Sequence, residues 1–212
     1  MSKVKLIWTT PDGEQLISRM ARVSNPTNEN NEETAPKLLR YLLKHKHYSP
    51  FEMVSACVEI ETTRDIARQI LRHRSFSFQE FSQRYAVATM FDFAECRLQD
   101  TKNRQNSLLN EDRELAKWWE EAQHAIVDMT TTVYQQALKQ GIAKEVARKV
   151  LPEGLTVSRM YMTGNLRSWI HYLSVRLDPA TQKEHREVAQ QIKVALEQHY
   201  PSLMEYANAI DE

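Results

Sequence analysis

A dense group of arginine, histidine and serine side chains lies between Arg64 and Tyr85. The stretch holds five arginines and one histidine but only two acids, Asp65 and Glu80. Arginine presents a planar fork of N–H donors that matches a phosphate group, and serine hydroxyls add further donors. These residue types indicate an anion-binding site, with a solvated or ion-paired surface as the equal alternative.

The order of the cationic residues separates a helical part from a tight cluster. Arg64, Arg68 and Arg72 are four residues apart, which places them on one face of a helix. A cation near a helix C-terminus gains about 0.3–1 kcal/mol from the dipole, and this explains a single arginine. It does not explain Arg72, His73 and Arg74 in succession, because neighbouring cations repel one another unless an anion or an acid lies between them.

Apolar periodicity predicts the elements that position this cluster. Alternating residues predict strands over 4–8 and 54–60, an extended segment over 160–163 and a further candidate strand over 87–98. Helical spacing and capping residues predict helices over 14–23, 34–47, 62–71, 111–140, 144–151, 165–173 and 181–199. Residues 72–85 show neither period, and Gly141 predicts a left-handed end for the longest helix. The order predicts an α+β fold, with a mixed or antiparallel sheet flanked by helices and long helices in the C-terminal half.

Composition limits the class of protein. The 212 residues carry 28 Lys+Arg and 28 Asp+Glu, 42% are hydrophobic, and only 4 are glycine. These values are typical of one globular domain, predicted over residues 1–212, and they exclude a Gly-rich phosphate loop. No apolar run approaches the ~20 residues that cross a bilayer, and Cys57 and Cys96 do not make a disulfide framework. We therefore expect a cytoplasmic protein that does not bind a membrane.

Residues 72–85 follow the pattern RHRxxSxxExSxRY, which resembles the signature of flavin-dependent thymidylate synthases. Further segments resemble the same family, namely ARVS at 21–24, HxxPFE at 47–52, ARxVLP at 147–152 and NxRS at 165–168, followed by Arg176. The pattern is highly specific because random helices rarely assemble these charged and polar types. The resemblance extends over most of the chain.

The resemblance implies an activity, its cofactors and an assembly. A member of this family is a homotetramer of α+β subunits that binds FAD and methylates dUMP to dTMP at active sites shared between subunits. Methylenetetrahydrofolate supplies the carbon, and NADPH supplies the reducing equivalents. The family does not use a cysteine nucleophile, and neither Cys57 nor Cys96 has a base nearby in a recognisable arrangement.

The resemblance also implies roles for individual residues. Those that would bind dUMP are Gln69, Arg72, Ser82, Gln83, Arg84, Arg148 and Arg176. Those that would contact FAD are His47, Ser49, Arg72, His73, Arg74, Glu80, Asn165, Arg167 and His171. Arg176 would lie beside the uracil as the catalytic residue, and its role is electrostatic because a guanidinium cannot accept a proton at neutral pH. No metal site is expected, since His45 and His47 lack further ligands.

Some positions depart from the family pattern. Gln83 stands where glycine is common, His171 where asparagine is common, and Ala180 where histidine is frequent. Gln83 would affect the phosphate loop most, because a side chain occupies a position that glycine leaves bare. These departures put individual contacts in question and leave the expected reaction class unchanged.

Two other classes of protein remain as alternatives. A nucleic-acid-binding module would use the cationic residues of 68–85 with the interleaved rings of Phe76, Phe78, Phe81 and Tyr85. Zero net charge and the lack of a recognisable nucleic-acid-binding motif argue against it, so we expect no nucleic-acid partner. The second alternative is a relative that keeps the fold without the catalysis.

Overall fold

The computed structural model describes residues 2–88 and 90–203. These residues form two compact units, one built mainly from 61–72 and 80–160, and the other from 3–60, 73–79 and 161–203. That the whole chain is one domain remains a prediction.

The described residues contain strands and helices in mixed order. The strands are β1 (Lys3–Thr9), β2 (Ser55–Thr63), β3 (Ser77–Glu80), β4 (Arg97–Gln99), β5 (Ser107–Leu109) and β6 (Val157–Asn165). The helices are α1 (Gly13–Ala21), α2 (Ala35–Lys44), α3 (Arg64–Ile70), α4 (Arg113–Lys139), α5 (Lys144–Ala147), α6 (Leu166–Arg176) and α7 (Lys183–Glu197). Short 3-10 turns cover Pro26–Asn28, Ser49–Met53 and Arg148–Val150. This content confirms the predicted α+β class.

The second unit holds most of a four-stranded sheet in the order β1-β2-β6-β3. Its core combines fully buried side chains of the sheet with those of α1, α2, α6 and α7, among them Ile17, Leu43, Val58, Trp169 and Ile192. The predicted cap of α6 is confirmed, because Asn165 Oδ1 accepts a hydrogen bond from Ser168 N at 2.9 Å. This cap fixes where the sheet ends and where the helix that carries Arg176 begins.

The first unit is dominated by α4, a helix of 27 residues. Asp112 caps its start by accepting from Glu114 N at 2.9 Å, and Gly141 follows its end with a φ of 81°. Both features agree with the predicted helix and its left-handed end. Only Gln123 and Tyr134 of α4 are buried, so most of the helix surface lies open in the described residues.

The stretch 87–98 was predicted as one strand, and this prediction is wrong. Of its described residues, the last two alone belong to a strand, because β4 begins at Arg97 and pairs antiparallel with β5, with Leu98 opposite Leu108. Phe91 forms an isolated bridge with Thr156, and Thr89 lies outside the described residues. Strand β5 lies between two predicted elements, and β3 lies where no period was visible. Among the described helices, none combines the length and the apolar character needed to cross a bilayer.

Candidate functional site

The two arginines of α3 have acidic partners, whereas Arg72, which follows the helix, has none among the described residues. Arg64 lies 3.4 Å from a carboxylate oxygen of Glu80, and Arg68 forms an ion pair with Glu153. Arg72, just beyond the helix end, is exposed and forms no ion pair within the described part of the chain. The helical arginines therefore belong to the ion-paired alternative, whereas Arg72 has no acidic partner in the described residues.

Glu80 is held on two sides within the first unit. Its Oε1 accepts a hydrogen bond from Ser158 Oγ at 2.7 Å and also faces Arg64. The carboxylate thus neutralises an arginine and anchors the end of β3 to the start of β6. Its expected contact with FAD remains a prediction.

Residues 82–85 form a turn that is tied to the segment of α5. Lys144 Nζ donates to Tyr85 O at 2.9 Å, and Arg84 lies 3.3 Å from Glu145. Arg148 follows α5 in a 3-10 turn. These contacts bring the loop of the expected phosphate ligands next to the segment that carries Arg148. Gln69 lies in the last turn of α3, three residues before Arg72.

Gln83 is the unusual member of this turn. The residue is 4% exposed, and its side-chain Nε2 has no hydrogen-bond partner in the described structure. A buried amide donor left without a partner costs about 1–3 kcal/mol, so an acceptor oxygen from a ligand would recover that energy. Ser82 Oγ, beside it, lies 3.4 Å from Arg84 N and accepts from it.

In the second unit, a cavity of about 820 Å³ opens at the start of α6. Its lining includes Asn165, Arg167, His171 and Lys46. The N-terminus of α6 contributes partial positive charge, and backbone N–H groups there favour an anion. Arg167 forms an ion pair with Glu52, which also lines the cavity.

A second cavity of about 500 Å³ shares Lys46, Tyr48 and Arg167 with the first and adds His47 and Ser49. Five of the residues expected to contact FAD therefore line two cavities that share part of their walls in the second unit. Arg74 belongs to the same unit, is exposed and forms no ion pair with another described residue.

Lys46 is a residue that the sequence reasoning missed. It follows α2 with a φ of 58°, and His47 N donates to Leu42 O at 2.8 Å, so the helix ends in a Schellman-type turn. Glycine is the usual residue at this left-handed position, and a lysine there costs about 1–2 kcal/mol. The only sequence signal is its place beside His47, because no local pattern predicts a left-handed lysine.

Arg176 and His73 are joined directly. Arg176 Nε donates to His73 Nε2 at 2.9 Å. The acceptor nitrogen must be unprotonated, so the imidazole is neutral and carries its proton on Nδ1. The structure thus brings together the arginine expected at the uracil and a histidine expected at the flavin.

The two cysteines differ in their surroundings, because Cys57 is buried and Cys96 is half-buried. Burial raises the pKa of the Cys57 thiol, which disfavours the thiolate that acts as a nucleophile. Asn110 Nδ2 lies 3.4 Å from the sulfur of Cys96 and donates to it. No group of three or more histidine, cysteine or acidic residues suited to a metal ion occurs within residues 2–88 and 90–203.

Known proteins resemble this chain over nearly its whole length. The sequence model of the Thy1 family, described as thymidylate synthase complementing protein, matches residues 5–202. A flavin-dependent thymidylate synthase of Synechocystis sp. is 53% identical over 194 residues, which cover 92% of this chain and 88% of the relative. A probable flavin-dependent thymidylate synthase of Paramecium bursaria Chlorella virus 1 is 45% identical and covers 93% of this chain and 90% of that relative.

The fold has a matching solved structure. The crystal structure of a UMP/dUMP methylase, PolB from Streptomyces cacaoi, bound with 5-Br dUMP, matches with a TM-score of 0.87 and 27% sequence identity. The match covers 99% of this chain and 95% of the crystallised chain. With the family model spanning residues 5–202 and a curated relative sharing half of the aligned residues, this chain belongs to the Thy1 family of enzymes, the flavin-dependent thymidylate synthases.

Proposed function

We propose that this enzyme methylates dUMP to dTMP reductively, with FAD as cofactor, methylenetetrahydrofolate as carbon donor and NADPH as reductant. The observation that carries the proposal is the cationic cavity at the start of α6, lined by residues expected to hold FAD. The names of the relatives support a flavin, and the neighbour crystallised with 5-Br dUMP supports a pyrimidine nucleotide.

The cavity fits a flavin dinucleotide in size and charge. Its volume of about 820 Å³ falls in the range of sites for small ligands and cofactors, roughly 300–1,000 Å³. Lys46, Arg167 and the N-terminus of α6 would hold the pyrophosphate, since each presents N–H donors or positive charge. His171 and Asn165 would orient the ring system through hydrogen bonds. When bound, the flavin supplies hydride chemistry that side chains cannot provide.

The turn at 82–85 fits the phosphate of dUMP. Gln83 Nε2 is a buried donor without a described partner, and Arg84 has only an exposed carboxylate opposite it. An exposed ion pair contributes about 0–1 kcal/mol, so Arg84 can exchange Glu145 for a phosphate at little cost. Arg72 and Arg148 would complete the charge around the dianion.

Arg176 would act on the uracil by electrostatics. Its Nε is engaged by His73, which leaves the two terminal nitrogens for a ligand. A fixed guanidinium beside the ring stabilises the negative charge that develops when the pyrimidine loses its N3 proton. The buried Cys57 supports a route without a cysteine nucleophile, since burial disfavours its thiolate.

We also propose the homotetramer and the shared active sites. The support is α4, where Trp118, Ile126, Met129 and Val133 are between 45% and 70% exposed. An exposed apolar face of this kind marks a protein interface. We propose in addition that the protein is cytoplasmic.

The nucleic-acid alternative loses part of its basis. Phe76 is buried and packs edge-on against Trp169 at 4.5 Å, so its ring is occupied within the core. Stacking on bases requires accessible aromatic faces. Tyr85 is 76% exposed, whereas Phe78 and Phe81 are half-buried, so only one of the four expected rings lies fully open for stacking.

Tritium release from dUMP labelled at C5 tests the proposed activity. We expect release and dTMP formation only when FAD, NADPH and methylenetetrahydrofolate are all present, and we expect the purified protein to show a flavin absorption spectrum. Omission of each component in turn provides the controls. A folded, flavin-loaded protein that releases no tritium would be a non-catalytic relative, and a colourless one that binds oligonucleotides would contradict the proposal altogether.

A further inference from the structure

A group of four side chains in the second unit links Arg176 to the protein interior. Tyr172 and Arg176 are four residues apart on α6, so they share one face of the helix. The ring of His73 packs edge-on against that of Tyr172, with centroids 4.9 Å apart, while its Nε2 accepts from Arg176. His73 is therefore held on this face of α6 by both residues.

His185 on α7 anchors the other end of the group. The residue is fully buried, and its Nε2 lies 3.1 Å from the hydroxyl oxygen of Tyr172. Burial, followed by the positive charge of Arg176, lowers the pKa of His185 to about 3. Burial also raises the pKa of the Tyr172 hydroxyl. Both groups are neutral at physiological pH, and each satisfies the other's buried polar atom.

The position of the Tyr172 ring affects the Arg176 guanidinium through His73. If the ring of Tyr172 were free to shift, the imidazole packed on it would shift as well, and the hydrogen bond to Arg176 Nε would weaken. A displacement of about 1 Å in a positioning group can cost about a hundredfold in rate. The buried hydroxyl–imidazole pair removes that freedom.

We propose that Tyr172 and His185 are positioning residues that hold His73 as a hydrogen-bond acceptor against Arg176, and so fix how Arg176 presents its guanidinium to the nucleotide. The inference rests on the proposed function, since that function places Arg176 at the uracil. Neither residue touches the substrate in this account. Both act through His73.

Steady-state kinetics of Tyr172→Phe and His185→Leu test the inference. We expect kcat to fall about tenfold or more in both, because the transition-state contact of Arg176 is weakened, while the KM for dUMP changes by less than about threefold. His185→Gln keeps a side-chain group that can bond to the Tyr172 hydroxyl, and we expect it to retain most of the activity. Val188→Ala, also fully buried on α7, is the control for simple destabilisation and should leave kcat unchanged.

Nitrogen-15 NMR of histidine-labelled, ligand-free protein gives a readout that does not depend on turnover. We expect the ring of His73, identified by its loss in His73→Gln, to show an unprotonated Nε2 in the wild type and a mixture of tautomers in Tyr172→Phe. Wild-type kcat in both Tyr172→Phe and His185→Leu would overturn the inference. A fall in kcat with unchanged His73 signals would overturn it as well, since the effect would not pass through His73. Wild-type protein that shows the expected signals but methylates no dUMP would contradict the proposed function instead.

Discussion

At the scale of single residues, the arginines between Arg64 and Tyr85 differ in whether an acidic side chain lies beside them. Arg64 and Arg68 face carboxylates, whereas Arg72 and Arg74 are exposed and form no ion pair within the described residues. A guanidinium without a counter-charge can bind an anion without first breaking an ion pair. Charge counting along the sequence cannot separate these cases, because the acids at 80 and 153 come from other segments of the chain.

Arg176→Ala should abolish dTMP formation while leaving the flavin bound. Loss of a charge-stabilising donor at the reacting centre costs about 10²–10³ in kcat. The measurement is tritium release together with flavin absorbance. Arg113→Ala, at the exposed start of α4, is the matched control and should behave as the wild type. Near-normal turnover of Arg176→Ala would defeat the assignment.

Lys46→Gly should weaken flavin binding without unfolding the protein. The variant removes a cation from both cavities, and we expect the Kd for FAD to rise about tenfold, which corresponds to roughly 1.4 kcal/mol. Glycine also relieves the left-handed strain at this position, so the free energy of unfolding should stay within about 1 kcal/mol of the wild type.

Lys44→Met serves as the comparison for Lys46→Gly, because Lys44 ends α2 and lines neither cavity. Flavin fluorescence titration measures the affinity, and denaturant melts measure the stability. An unchanged Kd in Lys46→Gly would remove Lys46 from the site.

At the scale of elements, close packing between β6 and the segment that leads into β3 limits the side chains that the fold tolerates. A Cβ atom placed on Gly164 would lie 2.5 Å from the ring of Phe76, and that ring is wedged against Trp169. Gly164→Ala should therefore lower the free energy of unfolding by about 1–3 kcal/mol through overpacking. Gly154→Ala meets no atom within 4 Å and should change it by less than about 0.5 kcal/mol. Equal denaturation midpoints for the two variants would contradict this account.

His185, which joins α7 to α6, makes the free energy of unfolding depend on pH. The pKa of His185 is lowered to about 3 in the folded protein, so between that value and its ordinary 6.5 the unfolded chain binds a proton that the folded one does not. Stability is full above pH 6.5 and falls as the pH drops, by up to about 1.4 kcal/mol per pH unit. His185→Gln should flatten this slope, whereas His199→Gln, at an exposed position, should not. Identical acid slopes in wild type and His185→Gln would rule the effect out.

Elements with a strong local signal could be predicted from the sequence, and those defined by distant partners could not. The cap at Asn165 and the glycine after α4 are local, and both were predicted correctly. The strand β3 covers four residues, Ser77–Glu80, and is fixed by pairing with β6, so no periodicity exposes it. Within the candidate site, the residue types were visible in the motif, but the contact between His73 and Arg176 joins positions 103 apart along the chain.

At the scale of the whole molecule, the proposed association of subunits can be tested. Replacing Met129 and Val133 on α4 by glutamate should dissociate the proposed homotetramer, because two charges would have to be buried in an apolar interface. We expect the mass from light scattering to fall and methylation activity to fall with it. Gln135→Glu, an exposed polar position on the same helix, should leave the assembly intact. A double variant that keeps the wild-type mass would place the interface elsewhere.

The wedge formed by Phe76 and Gly164 has a consequence for ligand recognition. Phe76 follows His73 by three residues and Arg74 by two, and its ring is packed in the core of the second unit. This backbone is therefore already ordered before any nucleotide or flavin binds. The conformational entropy of this backbone is lost when the polypeptide folds, so cofactor binding does not carry that cost. Binding at this segment should therefore proceed with little rearrangement of the main chain, as in lock-and-key recognition, rather than by coupled folding.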